Sequence, residues 1–475
     1  MTLAADLAPL WTAEDIAAAT GGRKLADFHV ANVVFDSRQV QTGDLFVALK
    51  GAQADGHNHV AGALARGAGG ALVARVPDGV APDAPLVVVG ETMAGLEDLA
   101  RAARARADVV AIGVTGSVGK TGTKEALKVA LGPSGPTHAS VGSFNNHVGV
   151  PLTLARMPAA TRFGVFEMGM NHAGELTPLS RLVRPHIAIV TTVEPAHMAF
   201  FESVEAIADA KAEIFAGVPA GGAAVLNRDN RHFERLSAAA RARGLHVVGF
   251  GTGEGCHVRL LDLVLKPDLT VVDAMVGSRP LTYKIGAPGR HWAMNSLAVM
   301  AAVELAGADI SLGALALADM APPAGRGRRL TVTLPKGGSF TLVDESYNAS
   351  PASMRAAFAN LALSSPGPRG RRIAVLGDMR ELGEAADALH AGLAPDLVAA
   401  GVDLVFTCGP HMRALYDALP DALKGHHAPD SKALATCVSG AVRQADVVVV
   451  KGSLGSYMAA IIDTLLRLDS ADSPR

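Results

Sequence analysis

Short apolar runs recur along the chain and alternate with segments whose apolar positions fall at helical spacing. Val-Val-Phe-Asp-Ser-Arg (33–38), Leu-Phe-Val-Ala-Leu (45–49) and Leu-Val-Val-Val (86–89) read as strands, with a helix over 60–67. The Ala- and Arg-rich stretch 97–107 reads as a connecting helix with Arg101, Arg104 and Arg106 partly solvated. From Val109 the pattern strengthens. An apolar strand (109–114) runs straight into a glycine-rich loop, and residues 123–131 follow with helical spacing. Further buried strands are expected at 163–168, 187–192 and 223–227, separated by helical segments. Such alternation predicts a mostly parallel, doubly wound sheet. Between about Val247 and Ile285 short strands and turns replace the helices, which predicts an antiparallel extension of the same domain; residues 293–306 read as a buried helix. Ala-Pro-Pro-Ala-Gly-Arg-Gly-Arg-Arg (321–329) is the clearest linker, and more βα units follow it. The expected fold is therefore α/β with three domains: a small N-terminal α/β domain over 1–92, a central one over 93–322 and a C-terminal Rossmann-like α/β domain over 323–475. The last carries no Gly-x-Gly-x-x-Gly fingerprint, so no dinucleotide site is expected there.

Composition narrows the class. A chain of 475 residues is too long for one ordinary core, and 49% hydrophobic against 19% charged residues argues against disorder. A net charge of −2 leaves no global footprint for nucleic acid or an acidic membrane, so any anionic substrate must be held by local clusters. The N-terminus has no basic region and carries Asp6, Glu14 and Asp15, unlike a signal peptide. No uncharged apolar run approaches the roughly 20 residues of a spanning helix. The expectation is a cytoplasmic protein without membrane insertion. Cys256, Cys408 and Cys437 lack metal or disulfide spacing and read as small buried hydrophobes.

The chemistry begins at Thr115-Gly116-Ser117-Val118-Gly119-Lys120-Thr121. Between a strand and a helix, this is the context a phosphate cradle requires, so the central domain is expected to hold a P-loop-type, mostly parallel sheet. Glycines let several N–H groups point at phosphate oxygens; Lys120 supplies a point charge, and the Thr121 hydroxyl suits Mg²⁺. Val114 stands where a standard phosphate loop has its first glycine. A phosphate loop indicates ATP but names no reaction. Glu167 ends its strand and is followed by Asn171 and His172, and His197 lies just beyond the next strand. Polar groups at the carboxyl ends of strands in the loop-bearing domain look like magnesium ligands, although His is a less usual one. Lys211, about one turn into a helix, is from spacing alone a solvated lysine paired with a nearby acid.

Several stretches carry a resemblance that covers nearly the whole chain. They are residues 10–22 and 36–51, then 115–125, 145–154, Glu-Pro-Ala-His (194–197) and Lys-Ala-Glu-Ile-Phe (211–215), and finally 344–354, 376–383 and Lys-Gly-Ser (451–453). Together they resemble the Mur ligases of peptidoglycan synthesis. The run Asp-Glu-Ser-Tyr-Asn-Ala-Ser-Pro (344–351) is similar to the member whose substrates are UDP-N-acetylmuramoyl-tripeptide and D-alanyl-D-alanine. The resemblance implies a UDP-substrate-binding first domain, an ATP-binding second and a ligase third. It implies that Lys211 is carbamylated and binds the second of two magnesium ions beside Glu167 and His197, with Lys120, Lys211 and His197 as catalytic groups. It implies that Asn295 and His291 lie at the adenine, and that Arg326 and Asp344 reach the ATP. Asp36, Ser37 and Arg38 would hold the UDP end, Asn145 and Asn146 the muramoyl region, and Tyr347 and Asn348 the dipeptide. Three positions depart from the family pattern. Trp292 stands where Asn is common, so no nucleotide contact is assigned to it. Leu454 stands where Arg is frequent, which leaves Lys451 out of the site. Gly122 replaces a Ser or Thr, a change expected to be harmless. The implied reaction makes an acyl phosphate from ATP and then an amide, in a monomer, with His197 or water left as the base. A folylpolyglutamate synthetase-like enzyme, another Mur paralogue and an ATP-binding switch module are the competing readings.

Overall fold

In a computed structural model, residues 9–51, 54–195 and 198–470 are described. Three large sheets organise them. A five-stranded sheet over residues 23–88 has parallel neighbours except where Arg23–Lys24 joins Leu86–Val88 antiparallel. A nine-stranded sheet follows. Its strand order is Arg279–Ile285, Thr270–Val276, Val258–Leu265, His246–Gly251, Ala223–Asn227, Ile187–Val190, Val110–Thr115, Phe163–Glu167 and Thr137–Ala139. A six-stranded sheet closes the chain, with Val447–Lys451 between Ser339–Glu345 and Arg372–Gly377. α/β architecture with mostly parallel sheets is thus realised.

The antiparallel extension begins later than the sequence pattern suggests. His246–Gly251 is parallel to both of its neighbours, and antiparallel pairing starts at Val258–Leu265 with Thr270–Val276. Thr270–Val276 alternates buried and half-buried positions along its length, as expected of a strand with one covered face. The cover is the helix Arg290–Leu305, whose residues Ala293 and Leu297–Val303 are buried in the same core as Val272, Ala274 and Val276. Two local expectations fail. The strand over 33–38 stops at Val34, because the Asp36 carboxylate accepts the Arg38 N–H and turns Ser37–Gln39 into a 3₁₀ helix. Lys211 lies near the end, not one turn from the start, of the helix Val204–Ala212. Of the cysteines, Cys408 is buried, while Cys256 and Cys437 are half-buried.

The connecting helix, Thr92–Arg106, bolts the first domain to the second through buried Arg104 and half-buried Arg106, while Arg101 stays exposed and pairs with Glu97 and Asp98 of its own helix. Arg104 is buried and donates from Nε to Val183 O (2.8 Å) and from Nη2 to Arg184 O (3.1 Å). It satisfies carbonyls left open where Leu176–Val183 ends in a left-handed Arg184. Arg106 donates to Leu10 O and Met157 O, and its guanidinium lies 3.7 Å from the Trp11 ring centroid. Arg156 donates to Val33 O at 2.6 Å, and the rings of Phe35 and Phe144 meet at 6.1 Å. The segments 36–38 and 145–146 therefore approach one seam.

The strand Val447–Lys451 is anchored by Asp446, whose fully buried carboxylate accepts from Arg371 N, Nε and Nη2 and from Arg443 N. Removing the guanidinium leaves a buried charge without its partner. Arg371→Ala is expected to cost about 3 kcal/mol in urea unfolding of the third domain. A loss below about 0.5 kcal/mol would show that the pair is replaceable by solvent.

Candidate active site

The phosphate loop leaves the carboxyl end of Val110–Thr115, third from the Thr137–Ala139 edge of the nine-stranded sheet, and enters the helix Lys120–Leu131. Gly116 (φ 147°) and Gly119 (φ 89°) adopt backbone conformations unsuited to other residues. A side chain at 116 would collide with the Thr191 hydroxyl, and a Cβ at 119 would come within 2.8 Å of Asn295 Nδ2. Thr191 Oγ1 donates to Val118 O (2.6 Å), and Ser117 N donates to Thr192 O (2.9 Å). The Ser117 hydroxyl donates to Glu194 O and accepts from Glu194 N. Thr191 carries no signal in the sequence, because its role depends on Ile187–Val190 becoming the neighbour of the loop-bearing strand.

Lys120 Nζ folds back onto Gly116 O at 2.7 Å. Burial depresses its pKa, Glu167 opposes that shift and Arg326 reinforces it. Glu167 is buried at its strand end; Oε1 accepts from Asn145 Nδ2 (2.7 Å), and its N–H donates to Ser140 Oγ (3.2 Å). Its Oε2 and the buried Thr121 Oγ1 have no hydrogen-bond partner. Orphaned oxygens facing a phosphate loop are the donor type a hard divalent cation takes, so these residues fit Mg²⁺. Among the described residues no group of three His, Cys, Asp or Glu side chains forms a metal cluster. His197 lies outside the described residues.

Lys211 is 2% exposed and makes no hydrogen bond or ion pair with a described residue. Burial, then the charge of Lys120, drives its pKa well below 10.5. The bland reading of a solvated, acid-paired lysine is therefore excluded. A neutral buried amine is the form that adds CO₂, so the residue fits a carbamate.

From the linker, Arg326 donates to Ser143 Oγ (3.2 Å) and lies 4.3 Å from the Tyr347 ring centroid. Asp344 ties the linker to the loop after its own strand: Oδ2 accepts from Gly325 N, and Oδ1 from the N–H and hydroxyl of Ser346. Lys451, read from sequence as outside the site, is buried and donates to Glu345 Oε2 (3.1 Å) and Asn348 O (3.0 Å). It thereby shapes the loop of Tyr347 and the exposed Asn348. Burial also lowers the pKa of His291, against Glu345 and with Lys451. Trp292 and Gly122 are complementary: a Cβ at 122 would lie 2.9 Å from the indole, so the two departures from the family pattern are one packing solution. In the first domain, Arg38 donates to both oxygens of Asp36 and holds that carboxyl at about 2. Ser37 O accepts from Arg66. Asn146 Oδ1 caps the helix Gly149–Ala155 by accepting from Val148 N and Gly149 N. Sequence reading also missed Lys124. It is fully buried, paired with Glu125 and donating to Ser140 O at 2.7 Å, beneath the serine that positions Glu167.

Comparison with known proteins bears on the whole arrangement. Residues 114–303 match the Mur ligase middle domain, 328–454 the Mur ligase glutamate ligase domain and 29–107 the Mur ligase family catalytic domain. The chain is 30% identical over 455 residues to the UDP-N-acetylmuramoyl-tripeptide–D-alanyl-D-alanine ligase of Rickettsia prowazekii, covering 96% of this chain and 99% of that one. It is 34% identical over 459 residues to the enzyme of that name from Escherichia coli, covering 93% and 94%. A crystal structure of MurF from Acinetobacter baumannii superposes with a TM-score of 0.82 at 27% identity, over 98% of this chain and 100% of that one. MurF ligase from Thermotoga maritima in complex with ADP gives 0.76 at 25%, over 93% and 98%.

The burial of Lys211 has a consequence for stability. Its folded-state pKa is depressed, so between that value and 10.5 the unfolded chain binds the extra proton, and stability rises with pH. In metal- and bicarbonate-free protein, Lys211→Met is expected to raise stability. The gain should shrink by up to about 1.4 kcal/mol per pH unit as pH climbs towards 10.5. A gain that is the same at pH 7 and pH 10 in thermal unfolding would refute the buried neutral amine.

Proposed function

Since the chain belongs to the Mur ligase family, we propose that it joins D-alanyl-D-alanine to UDP-N-acetylmuramoyl-tripeptide at the expense of ATP, forming ADP and phosphate. The observation carrying this is the meeting, at one sheet edge, of a phosphate loop, two orphaned oxygens and a buried lysine whose charged form is disfavoured. Similarity over the full length to ligases of that substrate pair gives the arrangement its substrates. Residues 1–92 would take the UDP substrate, 93–322 the ATP and 323–475 the incoming dipeptide.

In the first step the free carboxylate of the tripeptide attacks the γ-phosphorus of ATP and ADP leaves. In the second, the dipeptide amine attacks the acyl-phosphate carbonyl and phosphate departs. Two anions meet in the first step, so the protein's task is neutralisation and in-line positioning. The loop N–H groups and Lys120 meet the β- and γ-phosphates, and Arg326 brings further positive charge from the linker. Asn295, packed against Gly119, and His291 flank the approach to the base. Asp36, Ser37 and Arg38 across the seam from Asn145 and Asn146 suit the nucleotide-sugar end, and Tyr347 with Asn348 faces the dipeptide. Two magnesium ions, when bound, supply the charge that lets the anions approach; Thr121, Glu167, His197 and carbamylated Lys211 would hold them. No helix among the described residues is long and apolar enough to cross a membrane; that the enzyme works as a monomer on cytoplasmic ATP is part of the same proposal.

Phosphate release is expected to require ATP, the UDP-tripeptide and the dipeptide together. Lys120→Ala should lower kcat by at least about 10²-fold. Release that ignores the dipeptide would favour a nucleotide switch instead. The carbamate is tested separately: ¹³C-bicarbonate should give a carbamate carbon signal in the wild type that disappears in Lys211→Met. A spectrum without it would remove Lys211 from the metal site.

A further inference from the structure

Amide formation needs an amine with a free lone pair, and an α-amino group of pKa about 8 is mostly protonated at neutral pH. We propose that His172 is the general base that accepts this proton, an assignment that rests on the ligase reading above.

Topology brings the residue to the reacting end of the site. Phe163–Glu167 and Ile187–Val190 flank the phosphate-loop strand Val110–Thr115, one on each side. The loops that follow them leave the same carboxyl edge as the phosphate loop. His172, on the first, meets Phe200, on the second, with ring centroids 4.6 Å apart, so the contact bridges the two flanking loops. Glu213 ties the His172 loop to the Lys211 helix, accepting from Gly174 N (2.6 Å), Thr177 N (3.1 Å) and Thr177 Oγ1 (3.2 Å). On the far side, Ala199 N donates to Glu381 O of the third domain at 3.4 Å. His172 therefore stands at the seam between the ATP-binding sheet and the domain assigned to the dipeptide.

The ring is arranged as a base. Its Nδ1 lies 3.0 Å from Glu175 Oε1, and Glu175 Oε2 accepts from Asn171 N at 2.7 Å. Burial raises the Glu175 pKa, but the hydrogen bonds from Asn171 and His172 outweigh it and hold the carboxyl below its ordinary value. An ionised carboxylate only accepts, so Nδ1 carries a proton, and in the neutral ring Nε2 is the nitrogen with the free lone pair. The His172 side chain is 57% exposed, open to an entering amine. Charged groups on the elements around it are Glu175 on its own loop, Glu202 beside Phe200, Glu213 after the Lys211 helix and Glu381 of the third domain. Of these, Glu175 is the carboxylate in contact with the ring, and Arg380 precedes Glu381 in the third-domain loop.

The step balances. The ammonium gives one proton to Nε2, and the freed nitrogen pair forms the C–N bond while the carbonyl π pair moves to oxygen. That pair returns as the C–O bond to phosphate breaks, and the departing phosphate carries away a second proton from nitrogen.

The test separates the two steps in His172→Gln, supplied with ATP, UDP-muramoyl-tripeptide and either D-Ala-D-Ala or hydroxylamine. Hydroxylamine is largely unprotonated at neutral pH and traps the acyl phosphate without a base. The variant is expected to form hydroxamate at the wild-type rate. Its dipeptide ligation at pH 7 should fall about 10²-fold and recover as pH rises past about 8. Glu175→Gln should move in the same direction by less. Ligation at the wild-type rate at pH 7, or equal loss of both products, would overturn the assignment. Absence of hydroxamate from the wild type itself would instead overturn the ligase reading, and this inference with it.

Discussion

Everything at the site depends on the phosphate loop being held from two sides with no room for side chains at its two turns. Thr191 presses on Gly116 and bonds Val118 O; Asn295 presses on Gly119. One contact comes from the neighbouring strand and the other from a helix more than a hundred residues later. The loop is thus shaped by the sheet around it, with the Ser117 N–H tied to Thr192 O, before any phosphate arrives. Such preorganisation is what makes electrostatic stabilisation effective, because no reorganisation is needed during reaction.

The polar groups around this loop are poorly satisfied by the protein itself. Thr115, Thr121 and Thr123 hydroxyls and one Glu167 oxygen are buried without partners, at a cost of roughly 1–3 kcal/mol for each group so left. Burial disfavours the charged form of both Lys120 and Lys211, the charge of Lys120 adds to the effect at Lys211, and no described carboxylate forms an ion pair with either. The apolar layers on both faces of the sheet carry the stability that this arrangement forgoes. Ligands and ions complete a site of this kind, which accounts for its being unsatisfied alone.

Local order made part of this legible in the sequence. Strand, glycine loop and helix follow each other directly at 110–131, and Glu167 sits where its own strand ends, so both were readable from periodicity. What escaped were groups whose roles depend on strand neighbours or distant helix ends. Thr191 matters because of sheet order, and Arg104 because Arg184 ends a helix beside it. Asp36 was misread for another reason: its side chain competes with the strand for its own backbone. Gly122 and Trp292 look like two unrelated departures along the chain and become one fact only in contact.

The third domain joins this site through charge held in place by other charge. Asp344 binds the linker at Gly325 and its own loop at Ser346, its own carbonyl accepts from Gly327 N, and Tyr347 N donates to Gly325 O. Arg326 lies between those two glycines, so its reach to Ser143 and its seat on Tyr347 follow from bonds it does not make. Lys451 does the same for the other side of the loop, through Glu345 and Asn348. Asp344 and Lys451 are therefore positioning residues, and Arg326 is the group whose charge is felt at Lys120. Two ion-bearing side chains are consumed in fixing a third because an arginine on a glycine-rich linker would otherwise sample many orientations. Charge brought across a domain boundary helps a phosphoryl transfer only if it arrives in one of them.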